Sequence, residues 1–579
     1  MKHSRLAVAL VASLFALSLP VALLAADRPP AEPARAPAAI DPQSLHTTGA
    51  PLVAVGPFVV DLARVPTGDP EFQPGVDRFH DQGEPGGDAP DRARFSSPLE
   101  DRSFEGPGPS PADGGRAADA PSAPGDPLRS FQGMTDSGWY PPDPVLAVGP
   151  KYIVEAINSG FSVYTKDGGL ERSYTDLETF FNPIIASLPA WSVNGFVFDP
   201  RILYSPEHGK YVLLGLAADD INLTSYVFLA VSATSNPLGN WYQYYYGDTA
   251  HPANWIDYSG LGSDTWGVYF TGQSFPWAGG FTSSLIFSIP ATVFTGGNGG
   301  GWYFYNLRWN ETGNPLVFDI QPTIAHTIAG GEETFFVNTF TSSGNKACIW
   351  QLTGPRNNAP TLVRNSATVQ AYAEPGLASQ PGAVADDIEM FYAGVQNAAY
   401  SQRKVYFALN DFVAADTTGF YVSKVDVDTR VENRNITYAT GGIHYYYPNV
   451  SLCGGDSFDP EVGVAMSWSS NAQYASGAIK YYQDFTVDSS GYFWGIASGS
   501  ATYNRYGSGR NRWGDYMGIH RDWSCNTLWS VTEFAPALNV WRTQIGETQC
   551  DTALPQQCRL IFDDGFERGN RLNWSSSVP

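Results

Sequence analysis

From Leu128 onward the chain is built of short runs, either alternating or uniformly apolar, each bounded by Gly, Asn, Asp or Ser. "KYIVEAIN", "KYVLLGLAA", "WGVYFTGQSF", "TFFVNTF", "KVYFALNDF", "EVGVAMSWSS" and "NTLWSVTEF" are rich in β-branched and aromatic residues, which suit a pleated, half-buried surface. Second runs trail most of them: "FSVYTKDG", "YVFLAVSAT", "SSLIFSI", "ACIWQLTG", "FYVSKVDV" and "AIKYYQ". Ahead of each first run stands a polar–Pro or polar–Tyr step, or a variant of it. The steps are Asp143-Pro144, Asp199-Pro200, Asp257-Tyr258, Gln321-Pro322, Gln396-Asn397, Tyr447-Pro448 and Asp515-Tyr516, spaced 51 to 75 residues apart. Recurrence on that scale is the mark of a repeat architecture. Three or four strands per unit predict an all-β fold, a β-propeller, and seven units predict a seven-bladed one. A large sandwich or a solenoid is the alternative, but a sandwich has no place for so many equivalent units around one core. Helical periodicity is nearly absent. The best candidate is Tyr174 to Phe181, with Thr175 and Glu178 as a capping box.

The ends of the chain have a different character. Met1 to Arg5 is basic, Leu6 to Leu24 is largely apolar, and Ala25-Ala26 offer small residues for cleavage, so residues 1–26 read as a secretory signal peptide. A membrane-spanning helix is the alternative, weakened by Pro20 and by the absence of a basic flank. Residues 27–127 are dominated by Pro, Gly, Ala, Asp and Arg and are expected to form a disordered linker that adds nothing to the fold. "PLVAVGPFVVDLARV" (51–65) is the exception, a lone strand or a remnant of a pro-segment. The folded body is expected over 128–548 and a C-terminal tail over 549–579.

Charge narrows the partners. Against 34 Lys and Arg stand 57 Asp and Glu, a formal net charge of −23. No basic run offsets that total, so nucleic acid, whose phosphates would be repelled, is excluded as a partner. The expected setting is extracellular or the bacterial cell surface, with no membrane span once the signal is removed.

The pieces "GWYPPDPVLAVGPKYIVEAINSGFSVYTKDG", "DPRILYSPEHGKYVLLGLA", "VSATSNPLGNWYQY", "ASQPGAVADDIEMFYAGVQNAAY", "RNRWGDYMGIHRD" and "LWSVTEF" span Gly138 to about Gly546. In them the chain resembles a family of bacterial secreted proteins with a propeller-like domain. The resemblance implies that fold and carries no established activity. The end of the chain, with Phe562, Asp564, Gly565, Phe566, Glu567, Gly569, Trp574 and Ser575, is similar to a short tail of many secreted proteobacterial proteins.

Candidate chemistry is sparse. No H-E-x-x-H, G-x-S-x-G or P-loop spacing occurs, and the Ser-x-Asp-x-Gly-x-x-Trp boxes of sialidase-type propellers are missing. In a propeller the inner strands start at one mouth, which brings Asp143, Asp199, Asp257 and Asp515 to one face. There they form an acidic rim for Ca²⁺, a carboxylate pair for acid–base work, or acceptors that tie adjacent blades. Trp513 and Tyr516 are the apolar contacts of the same candidate binding site. Arg201 and Arg512 stand close enough in sequence to pair with Asp199 and Asp515. "DVDTRVEN" (426–433) alternates acids like a Ca²⁺ loop but lacks its sixth-position Gly, and reads as a hairpin turn. Of the five cysteines, Cys525 and Cys550 flank the strands of one hairpin and are expected to pair, leaving Cys348, Cys453 and Cys558. No cofactor is required. The expected function is non-catalytic binding of extracellular protein or polysaccharide at the channel mouth. A glycoside hydrolase or polysaccharide lyase, and a structural envelope protein, are the alternatives.

Overall fold

A computed structural model describes residues 46–47, 49–68, 125–309, 311, 313–326, 333–382, 387–454, 460–483, 485, 491–507 and 510–550. The signal peptide, most of the linker and nearly all of the C-terminal tail lie outside them.

The described chain runs as successive antiparallel meanders of four strands, here numbered I (145–176), II (196–246), III (254–304), IV (321–373), V (395–438), VI (444–497) and VII (518–549 with 127–135). Their first strands are Val145–Val148, Phe196–Ser205, Asn254–Asp264, Gln321–Ala325, Val395–Ser401, His444–Leu452 and Gly518–Asp522. Each of these lies against the first strand of the next meander, and the last lies against the first. Parallel bridges between meanders IV, V and VI join those three, with His46–Thr47 as an added edge strand, into one thirteen-stranded sheet. The result is a closed β-propeller.

The core is distributed accordingly. Val154, Phe161 and Val163 of meander I pack with Leu213, Ala217 and Phe228 of meander II. The next clusters join II with III and III with IV in the same way. Leu146 and Ile153 of meander I finally meet Trp529 and Val531 of meander VII. Every sheet is therefore covered on both faces, which is why Lys210–Asp219 is buried throughout except at Lys210 and reads as a continuous apolar run. The runs that stand out in the sequence are the second and third strands of the meanders.

Closure of the ring uses both ends of the folded body. Pro127–Thr135 pairs antiparallel with Val540–Gln549, with Phe131 opposite Ile545. Pairing the two ends satisfies edge strands that would otherwise stay open.

Three expectations are corrected. First, part of the stretch assigned to a linker is folded. His46–Thr47 pairs with Thr361–Ala373, Ala50–Leu52 with Gly301–Phe304, and Val55–Asp61 with Asn240–Tyr246. One strap thus adds an outer strand to meanders IV, III and II in turn, and it buries Val60 and Leu62. The apolar run set apart at 51–65 supplies its contacts: Leu52, Val60 and Leu62 are buried, while Val53 and Val59 stay exposed. At Gly56 (φ +130°) a Cβ would come within 2.5 Å of the Gln243 carbonyl oxygen, so only glycine lets the strap pass. Second, the disulfide joins Cys453 to Cys550, with Cα atoms 5.6 Å apart across a separation of 97 residues. Cys550 runs one residue past the hairpin and meets the end of the first strand of meander VI, while Cys525 remains a thiol in its turn. Third, the short helix Leu177–Phe180 is capped by Asp176, whose Oδ1 accepts the Thr179 N–H at 2.8 Å, and not by Thr175. The 426–433 stretch does form a hairpin turn, with Asp426 Oδ1 accepting the N–H of Asp428 and Thr429. Among the described residues no helix is long and apolar enough to cross a membrane.

Candidate functional site

Two of the seven steps, Asp199-Pro200 and Tyr447-Pro448, prove to be backbone devices, and a third sits one position beyond Asp257. The pairing of first and second strands skips Asp199-Pro200, Tyr258-Ser259 and Tyr447-Pro448, so each pair is a β-bulge. The first residue of each takes a left-handed conformation, with φ of 46°, 50° and 56°. Asp257 is thus one position out of register: Tyr258, not Asp257, is the equivalent of Asp199.

A bulge releases an N–H from its ladder, and buried N–H groups need an acceptor. The neighbouring meander supplies it. Asn158 Oδ1 accepts the Asp199 N–H at 2.6 Å, and Asp199 Oδ2 accepts the Tyr258 N–H at 3.2 Å. Asn410 Oδ1 accepts the Tyr447 N–H at 3.0 Å. Asp143 Oδ1 accepts the Asp515 N–H at 2.6 Å, while its Oδ2 accepts Asn158 Nδ2 at 2.7 Å. A continuous line of side-chain acceptors therefore runs from meander VII through I and II to III.

All six candidate residues are buried, none more than 6 % exposed, but Asp257 takes no part in the seam and instead pairs with Gln273 in the ladder of meander III. Arg512 Nη2 donates to Asp515 Oδ1. Arg201 donates Nε to the Ser259 carbonyl at 2.8 Å and lies 3.3 Å above the Tyr516 ring. The Tyr516 hydroxyl donates to the Pro200 carbonyl at 3.0 Å. Trp513 donates Nε1 to Ser467 Oγ at 3.0 Å and meets Tyr503 edge-on at 4.8 Å. Asp143, Asp199, Asp515, Tyr516 and Tyr258 are brought together, and Trp513 sits in an adjoining apolar cluster with Met390 and Tyr447.

Sequence reasoning misses two carboxylates of this region. Glu533 stands inside the apolar run "NTLWSVTEF", is fully buried, and has no hydrogen-bond partner on either oxygen. Burial, then the charges of Asp143 and Asp515, push its carboxyl well above the usual range. Asp143 is raised for the same reasons, burial first and then Asp515 and Asp199. The second, Asp319, is pushed up to about 7 by burial. For Glu533 the available signal is an acid inside an apolar strand run. Chemically the group is biased toward its protonated forms by burial and mutual repulsion, and it is closed to solvent.

The face itself is formed by loops. The segment 186–195 leads into Phe196–Ser205, and the turn after Lys210–Asp219 returns to the same end, because Ala218 pairs with Phe196. Asp219 ties the two. Its Oδ1 accepts Ser192 Oγ at 2.8 Å, the Ile221 N–H at 3.0 Å and the Asn222 N–H at 3.1 Å, and its Oδ2 accepts Asn222 Nδ2 at 2.8 Å. On the loops so held, Val193 is 97 % exposed, Ile221 63 % and Leu223 51 %.

Among the described residues, the one cluster of three or more potential ligands whose atoms all lie within 4.8 Å is Cys453, Glu461 and Cys550. Its sulfurs are joined in the disulfide and are not thiolates.

No protein-family description matches the chain, and no characterised protein matches it in sequence. Solved structures similar to it include Drosophila Plexin A in complex with Semaphorin 1b, at 9 % identity and a TM-score of 0.34, covering 74 % of this chain and 88 % of that one. The Dos1 propeller matches at 10 % identity and a TM-score of 0.33, covering 73 % and 94 %. A Trypanosoma rangeli sialidase mutant displaying trans-sialidase activity matches at 9 % identity and a TM-score of 0.30, covering 67 % and 57 %. At such scores the architecture rests on the strand pairings above.

Proposed function

We propose that the protein is an exported, non-catalytic binding scaffold that engages extracellular protein or carbohydrate through the loop face where the first strands begin. Each meander is taken as one blade, which gives seven. The observation that carries the reading is the pair of loops fastened by Asp219, which holds Val193, Ile221 and Leu223 out in water. Exposed apolar side chains on a rigid support favour contact with a partner. Asp143 and Asp199 support the seam rather than touch the ligand, since one oxygen of each already serves a backbone N–H of the adjacent meander. The net charge of −23 disfavours a polyanionic partner.

The test is an array of neutral and acidic polysaccharides and secreted proteins, probed with the mature chain and scored separately for binding and for product release. Binding without product is expected. Val193→Asp combined with Ile221→Asp should abolish it, and Asp199→Asn combined with Asp257→Asn should leave it unchanged in a folded protein. Product release would replace this reading with that of a glycoside hydrolase or polysaccharide lyase. Undiminished binding by the loop variant would move the site elsewhere.

A further inference from the structure

Arg364 lies on Thr361–Ala373, the last strand of meander IV, and is only 5 % exposed. Its Nη1 donates to the carbonyl of Arg308, which fixes the plane of the guanidinium. Nε and Nη2 have no hydrogen-bond partner. These two nitrogens share one edge of the group, and their N–H bonds form the fork that matches the two oxygens of a carboxylate. The nearby acid, Glu311, is already engaged by Lys346 Nζ at 2.6 Å.

The neighbours reinforce the polarity. Arg364 stands opposite Trp350 and Ser366 opposite Cys348, so period-two alternation puts all four on one face of the sheet. Trp309 covers that face, stacked on Phe340 with ring centroids 4.0 Å apart. Ser366 Oγ and Trp309 Nε1 also lack partners. Thus one cation and two neutral donors are gathered on one face with no hydrogen-bond acceptor for them among the described residues. Arg364 lacks the escape open to Glu533. A buried carboxyl avoids its desolvation cost by taking a proton, whereas a guanidinium stays charged at any ordinary pH. Leaving its N–H groups unpaired in the interior is costly, and a bound anion removes that cost.

We propose that Arg364 anchors an anion site on meander IV that takes a monocarboxylate, its Nε/Nη2 edge holding the two oxygens, with Ser366 as a neighbouring donor. One unpaired cation balances one negative charge, and a phosphate dianion would meet the acidic protein with a charge left over. The carboxylate belongs either to a free organic acid or to a uronic-acid sugar. The site is separate from the loop face, so the two readings stand or fall independently.

The experiment titrates the full chain with sodium acetate, sodium D-glucuronate, sodium phosphate and sodium chloride at constant ionic strength, following melting temperature and, by calorimetry, binding heat. Acetate and glucuronate should each produce a saturable rise in melting temperature that chloride does not. Arg364→Lys keeps the charge but loses the fork, and should weaken the apparent affinity about tenfold or more. Arg364→Met should abolish the response. The ligand-induced increment is compared in each case, because removing a buried unpaired charge shifts the variant's own melting temperature. Glucuronate binding well above acetate identifies an acidic sugar as the source, and equal binding identifies a small organic acid. Superimposable acetate and chloride curves, a stronger response to phosphate, or a wild-type response in Arg364→Met would each overturn the proposal.

Discussion

Glu155 gives a test of how the ring is closed. It lies on Tyr152–Ile157 of meander I, fully buried, and its Oε1 accepts Thr543 Oγ1 and, at 3.4 Å, the Met134 N–H. Thr543 and Met134 belong to the two strands that join the ends of the folded body, so this carboxyl fastens the closure to its neighbour. Burial pushes Glu155 up to about 7 from an ordinary 4.5. A folded pKa above the unfolded one means that the folded state holds a proton the unfolded state has released. The associated stability is complete below about pH 4.5 and is lost as pH rises through 7. At about 1.4 kcal/mol for each tenfold change in proton affinity, the loss is roughly 2 to 4 kcal/mol. Glu155→Gln imitates the protonated acid and removes this titration, while every other buried acid cancels in the comparison. Guanidinium unfolding from about pH 4 to about 8.5, a range that brackets both pKa values, should show near-equal midpoints in acid. The variant should gain progressively above about pH 5 and level off past about 7. A wild-type-minus-variant difference that does not change with pH would refute the assignment of a buried, protonated Glu155.

Asp319→Asn should stabilise in the same direction, over a window that opens lower, since burial raises Asp319 from 3.8 to about 7; the same series extended to about pH 3 checks it. Cys453→Ser opens a loop of 97 residues and should cost roughly 2 to 5 kcal/mol, while non-reducing peptide mapping of the wild type should find Cys453 joined to Cys550 and Cys525 alkylatable. Asn158→Ala strips the acceptor from the Asp199 N–H and a donor from Asp143, and should lower stability by about 1 to 3 kcal/mol in denaturant titration. Leu62→Ala empties a fully buried position of the strap, with an expected loss of about 2 to 5 kcal/mol, and limited proteolysis should then release the 49–68 segment that the wild type protects.

What the sequence determined by itself was the local alphabet. β-branched and aromatic runs between Gly, Asn and Asp turns specify strands wherever they occur, and their recurrence specifies a repeat, because both are properties of neighbouring residues. That is why the second and third strands of the meanders were legible, down to the hairpin at 426–433. The steps at Asp199-Pro200 and Tyr447-Pro448 were visible too, but their role as bulges was not, since a bulge is defined only by the residues it faces across the ladder; hence Asp257 stood in for Tyr258. Partners distant in sequence belong to the tertiary structure alone. Cys550 finds Cys453 because the end of meander VII lies beside the first strand of meander VI, and no spacing along the chain records that adjacency. The apolar run at 51–65 was visible as a lone strand, but its three partners were not: the edges of meanders II, III and IV supply the hydrogen bonds and the buried surface that a lone strand lacks. Buried charge follows the same rule: only the packing around Glu533 and Arg364 raises the pKa of the first and leaves two N–H groups of the second without a hydrogen-bond partner.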